Sequence, residues 1–138
     1  MIKRVFVDTD VILDVALARK PFVLASKTVL SLLENYISMG FTSANSIGNL
    51  YYILRKAGGE QKSRQFLTGL LEYITVIPVQ HADALEALSS AFSDFEDALQ
   101  NAAANNNQCE CIVTRNTEDY IYSELPIYEP VEFLHFFR

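Results

Sequence analysis

The 138-residue sequence has no long apolar run, and nothing in it approaches the ~20 residues that a membrane-spanning helix requires. Its opening, MIKRVFVDTD, is basic and then apolar, but the apolar part is too short for a signal-peptide core. No membrane is therefore expected, and the expected compartment is the cytoplasm. Soft ligands are equally scarce. The two cysteines, Cys109 and Cys111, form C-E-C; in an extended segment both point to one face, too strained a pair for an ordinary disulfide. The histidines are His81 and His135, too few to complete a zinc site with them. The cysteines read as two small buried hydrophobes on a strand. There is no glycine-rich phosphate loop, no serine with a credible histidine partner, no repeat and no linker. Positive charge is short as well. Lys and Arg number 11 against 17 Asp and Glu, for a net charge of −6 and a pI near 4.8. That excludes tight non-specific binding of nucleic acid through a broad basic face. It leaves room for a nuclease, whose gathered carboxylates lower the net charge and whose phosphate contacts are local or come with metal ions.

What is present fits one globular domain over residues 1–138, half hydrophobic and one fifth charged. Ile2–Val7 reads as a buried strand ending at Asp8, and Val11–Ala18 as a short helix. Pro21 allows a helix to restart at its first turn and run to Ser38, with Gly40 as its stop. Phe41–Ser43 is a short strand, and Asn45–Lys56 and residues 60–73 are helices separated by Gly58-Gly59. Ile74–Val79 is β-branched, with Pro78 favouring a sheet edge. His81–Ala91 is helical, and a further helix begins at Ser93 and ends frayed at Asn105-Asn106-Asn107. Cys109–Thr114 and Pro126–Tyr128 are strands, and Val131–Phe137 is a closing helix. Strands alternating with helices imply a three-layer α/β/α sandwich with a central, mainly parallel sheet.

Ligands of open parallel sheets bind outside the carboxyl ends of the strands. Polar residues accumulate at those predicted ends: Asp8 and Asp10 after the first strand, Thr42, Ser43 and Asn45 after the second, and Thr114, Asn116 and Asp119 after CIVT. Ser93-Asp94-Phe95-Glu96-Asp97 adds more acid. Ser93 to Glu96 fits a capping box, which accounts for Asp94 and Glu96 through the helix terminus alone. Asp97 projects from nearly the same side as Asp94, so capping combined with metal binding is the other reading. Asp8, Asp94, Asp97 and Asp119 together would make an oxygen-only cluster of the kind hard Mg²⁺ or Mn²⁺ prefers. Two such ions can activate water and stabilise the leaving oxygen of a phosphodiester.

Four segments, VFVDTDVILD (5–14), TSANSIGNLYYILRK (42–56), DFEDALQNAAA (94–104) and CIVTRNTEDY (111–120), resemble in order and spacing the PIN-domain family, metal-dependent ribonucleases that include VapC-like toxins of toxin–antitoxin pairs. The resemblance implies a Mg²⁺- or Mn²⁺-dependent endoribonuclease acting on single-stranded or structured RNA. It implies an antitoxin protein as a further partner. Asp8 matches the first metal-binding aspartate and Asp97 the aspartate of the central helix, with Asp94 one turn back. Asn49 and Asn116 stand where the family usually has acids, and Asp119, three residues on from Asn116, substitutes for the second. Under this resemblance Asp8, Asp94, Asp97 and Asp119 are the catalytic and metal-binding carboxylates, with Asn116 and Asn49 completing the shell. Thr9, Thr42 and Ser43 orient water or phosphate, and Arg115 contacts phosphate. Two other readings stay open. D-T-D also looks like the opening of a haloacid-dehalogenase-type phosphatase, with Asp8 as nucleophile and Asp10 as general acid, although Val11 stands where that loop wants glycine. The two asparagines also suit a catalytically weak PIN-like module that binds proteins. FLHFFR, Tyr51 and Tyr52 then provide apolar surface for a homodimer or an antitoxin peptide, although core packing explains most aromatics.

Overall fold

A computed structural model describes residues 2–137 of the chain. Within them five strands form one sheet in the order β3-β2-β1-β4-β5, and every neighbouring pair is parallel. β1 (Arg4–Val7) is central, with β2 (Met39–Ser43) and β3 (Ile74–Ile77) on one side and β4 (Cys111–Val113) and β5 (Ile127–Tyr128) on the other. The strand before Pro78 does lie at an edge, where a missing N–H breaks no ladder.

Both faces of the sheet are covered. Val5, Val7, Cys111 and Val113 point into a core completed by α1 (Thr9–Ala16), α2 (Val23–Glu34), α3 (Ala44–Gly58), α4 (Glu60–Leu70) and α7 (Pro130–Leu134). Phe6, Phe41, Ile77 and Ile112 point the other way, onto Ala103 and Ala104 of α6 (Phe95–Asn106). α5 (His81–Ser89) packs on α6 through Ala87, Ala98 and Leu99. Burial on two faces is why the strands read as unbroken apolar runs.

Four local expectations are corrected. Gly40 does not stop a helix: α2 ends at Glu34, and Gly40 lies inside β2. A Cβ there would stand 2.5 Å from Ile74 Cδ1 and 2.8 Å from Leu33 Cδ1, so close packing is what demands the glycine. Pro21 precedes α2 instead of sitting in its first turn, since the helix begins at Val23. The asparagine run is not frayed. Asn106 Nδ2 donates to Asp83 Oδ1 (2.6 Å), Asn107 Nδ2 to the Ala103 carbonyl (2.7 Å), and Arg4 Nη2 to the Asn107 carbonyl (2.9 Å). The two cysteines face opposite layers, because Gln108 at φ 60° turns the chain and Cys109 lies in the turn that closes α6, its N–H on the Ala104 carbonyl. Both thiols are free, and burial pushes them up to about 11 and about 12, inert as expected of small hydrophobes.

The strand order positions the site. The chain winds outward from β1 to β3, then crosses to β4 on the far side of β1. At that reversal the carboxyl ends of β1 and β4 adjoin, the place where open α/β sheets hold ligands.

Candidate active site

Asp8 leaves β1 and caps α1, its Oδ1 accepting from the Thr9 N–H at 2.7 Å. Its own N–H donates to the Val113 carbonyl at 2.9 Å, which extends the β1–β4 ladder to the site. Asp8 Oδ2 accepts from Thr114 Oγ1 (2.8 Å) and from the Tyr120 hydroxyl (3.3 Å). That same hydroxyl lies 3.4 Å from Oδ1 of Asp97, which projects from the first turn of α6. Two carboxylates separated by most of the chain thus meet at one tyrosine oxygen.

Asp10, in the first turn of α1, completes the charge. Its Oδ2 accepts from the Arg115 N–H (3.1 Å) and faces Thr114 Oγ1 at 3.3 Å, while its Oδ1 is buried without a partner. Three carboxylates therefore face two hydroxyl protons, those of Thr114 and Tyr120. The imbalance appears in their ionisation. Burial, against several hydrogen bonds, raises Asp8 above the usual carboxylate range. Burial and then the charge of Asp8 push Asp10 up to about 7. Burial, and then the charges of Asp8, Asp94 and Asp119, push Asp97 up to about 7. A site that resists its own negative charge attracts a proton or a cation.

The remaining predicted residues lie at varying distance from this centre. Asp94 is the N-cap of α6, its Oδ1 accepting from the Asp97 N–H at 2.9 Å, so the cap is Asp94 and not Ser93. Asp119 sits exposed in the 3₁₀ turn Thr117–Tyr120 and reaches Asp97 through its charge. Asn116 is exposed beside it, its carbonyl accepting from the Asp119 N–H. Asn49 donates to Glu96 Oε2 at 3.2 Å. Thr9 is partly buried at the start of α1. Ser43 caps α3 and is fully buried, as is Thr42, whose Oγ1 has no partner. Arg115 points inward: Nε and Nη2 hold the two oxygens of buried Asp14 at 2.7 and 3.0 Å, and its guanidinium stacks 3.9 Å above the Phe22 ring. Among the described residues no three His, Cys, Asp or Glu side chains stand close enough together to hold one ion. Asp8 and Asp97 nevertheless suit Mg²⁺, which takes one or two carboxylates and keeps several waters.

Sequence reasoning missed Tyr120, Gln100 and Asp14. Gln100 lies three residues after Asp97 and so on the same side of α6, a spacing that pointed to it. Tyr120 and Asp14 carried no such signal.

A family model of the PIN domain matches residues 4–118. The chain belongs to the PIN-domain family. Solved structures share the PIN fold over most of its length. FitAcB from Neisseria gonorrhoeae aligns with a TM-score of 0.70 at 17% identity, covering 92% of this chain and 98% of that one. A toxin–antitoxin complex from Klebsiella pneumoniae gives 0.69 at 22% identity, covering 91% and 97%. VapC20 of Mycobacterium tuberculosis, a toxin that cleaves the sarcin–ricin loop, gives 0.62 at 16% identity, covering 78% and 86%. At these identities the likeness is one of fold. No curated protein sequence matches the chain. Among the described residues no helix of this PIN domain is long and apolar enough to cross a membrane.

Proposed function

We propose that this PIN domain is a Mg²⁺- or Mn²⁺-dependent endoribonuclease, the toxin half of a toxin–antitoxin pair. The observation that carries the reading is the meeting of Asp8 and Asp97 at the Tyr120 hydroxyl, at the reversal of strand order. Asp8 and Asp97 would hold the ion. Asp94 and Asp119 add negative charge around it, and Asn116 offers an amide oxygen at the rim. A bound divalent ion supplies the positive charge that a phosphodiester transition state requires and acidifies a water. Asp10 accepts from the Arg115 backbone and holds the loop after β4 against α1. Thr114 donates to Asp8 and fixes its orientation. Arg115, clamped on Asp14, shapes the wall between a 430 Å³ cleft containing Phe22 and Val131 and a 230 Å³ cleft containing Asn116 and Asp119. Thr9, at the start of α1, is the remaining candidate for a phosphate contact. Ser43 is too deeply buried to touch substrate and acts behind the site. The proposed partners are RNA, an antitoxin protein and a second copy of the chain, in the cytoplasm.

The reading is tested with purified protein and single-stranded RNA. Cleavage is expected with Mg²⁺ or Mn²⁺, lost in EDTA, and abolished in Asp8→Asn. Metal-independent cleavage, or cleavage undiminished in that variant, would overturn it. Hydrolysis of small phosphomonoesters instead would return the phosphatase reading of D-T-D. One observation favours a catalytically weak binding module as the second reading. Asn49 is engaged with Glu96, so α3 brings no carboxylate of its own to the site. Silence in both assays, with tight binding of a neighbour-encoded peptide, is its signature.

A further inference from the structure

The Tyr120 hydroxyl touches both acids, 3.3 Å from Asp8 Oδ2 and 3.4 Å from Asp97 Oδ1. Tyr120 closes the CIVTRNTEDY segment, two residues past the end of the family-model match. Its ring is fully buried against Phe6 and Ile112 and meets Phe92 edge-on, with centroids 5.9 Å apart. The hydroxyl therefore cannot swing away.

The direction of its proton is set by a buried chain of donors. Ser46 Oγ donates to Gln100 Oε1 at 2.8 Å, which turns the Gln100 amino group toward Tyr120, where Nε2 donates to the hydroxyl oxygen at 3.4 Å. Ser43 Oγ, 3.1 Å from Ser46 Oγ, is the donor in that pair because the Ser46 proton is already committed. Every bond runs the same way, from Ser43 toward the carboxylates. With its oxygen accepting from Gln100, Tyr120 presents its single proton to Asp8 or Asp97. A carboxylate oxygen accepts about two hydrogen bonds. Asp8 Oδ2 already receives Thr114, and the one tyrosine proton serves Asp8 or Asp97 but not both at once.

The geometry points to Tyr120 as a positioning residue that competes with a divalent ion for the carboxylate oxygens of Asp8 and Asp97, bridging the two acids and weakening ion binding. This rests on the metal-dependent reading above. Tyr120→Phe removes the oxygen and keeps the ring. Mn²⁺ binding, followed by the electron paramagnetic resonance of the free ion, is expected to tighten about tenfold, the worth of a hydrogen bond to a charged group. The melting temperature in EDTA is expected to fall. General damage to the fold loosens an ion site, so tightening is not an effect of lost structure. Ser46→Ala gives an independent route, because it frees the Gln100 amide to turn its carbonyl toward Tyr120 and draw the proton off the carboxylates. It too is expected to tighten Mn²⁺ binding. A wild-type protein that binds Mn²⁺, with both variants binding no tighter, overturns the inference alone. A wild-type protein that binds no Mn²⁺ overturns the metal-dependent reading and the inference with it.

Discussion

Replacing Arg115 by alanine leaves the Asp14 carboxylate, 0% exposed, with only Ser26 Oγ as a hydrogen-bond partner at 3.1 Å. Removing one member of a buried pair costs about 3–5 kcal/mol, because the other charge stays desolvated. Arg115→Ala is therefore expected to lower the urea midpoint by far more than a surface arginine substitution such as Arg64→Ala, whose pair with Glu60 is exposed on both sides. If Arg115 were a free phosphate contact, the two variants would unfold alike. Reading the arginine from sequence as a ligand for phosphate was reasonable for a strand-end position. What hid its engagement is that Asp14 lies on the buried side of α1, 101 residues away, and no local pattern marks such an acid. Asp8 was legible as the end of an apolar strand, and Asp97 through its i+3 spacing from Asp94 and its match to the family's central-helix aspartate. Tyr120 was not, since in sequence it is one more aromatic in a polar turn.

At the level of elements, α6 separates two roles that coincide in Asp94. As N-cap its carboxylate holds the Asp97 N–H, and its charge also bears on Asp97. Asparagine caps nearly as well as aspartate, whereas alanine costs about 1 kcal/mol. Asp94→Asn is expected to melt like the wild type, and Asp94→Ala to lose about 1 kcal/mol in denaturant titration. Loss of cleavage in Asp94→Asn at unchanged stability would assign the charge to the site and not to the cap. β2 makes a different point about packing. Gly40→Ala forces Ile74 and Leu33, both buried, to new positions and is expected to destabilise by about 1 kcal/mol or more. The strand itself was readable from Phe41-Thr42-Ser43. Its glycine read as helix punctuation because the approach of α2 and β3 is a tertiary fact.

Over the whole molecule, the gathered acids set a pH dependence. Asp10 and Asp97 are each pushed up to about 7 in the fold, above the ~3.9 of an aspartate in an unfolded chain. Between those values the folded state holds more protons than the unfolded one, so stability is full below the window and falls as pH rises through it. The melting temperature in EDTA is expected to be higher at pH 5 than at pH 8. A rise across that interval would mean that other groups outweigh the site. The architecture as a whole was readable from alternating strand and helix patterns, and the sheet proves wholly parallel. The reversal of strand order at β1 was beyond any local signal, since it depends on which strands pair across long stretches of chain.

That reversal also fixes when the site comes into being. β1 is the first strand to be synthesised, and β2 covers only one of its edges. The other edge waits for β4, and until then Asp8 ends an open strand with no Thr114, Tyr120 or Asp97 beside it. A growing chain exposes a sticky sheet edge during that interval, a hazard for aggregation. By the same order of events no chain that stops before Tyr120 can carry the assembled centre. The centre is thus assembled late, only once α6, β4 and the turn carrying Tyr120 have all been made.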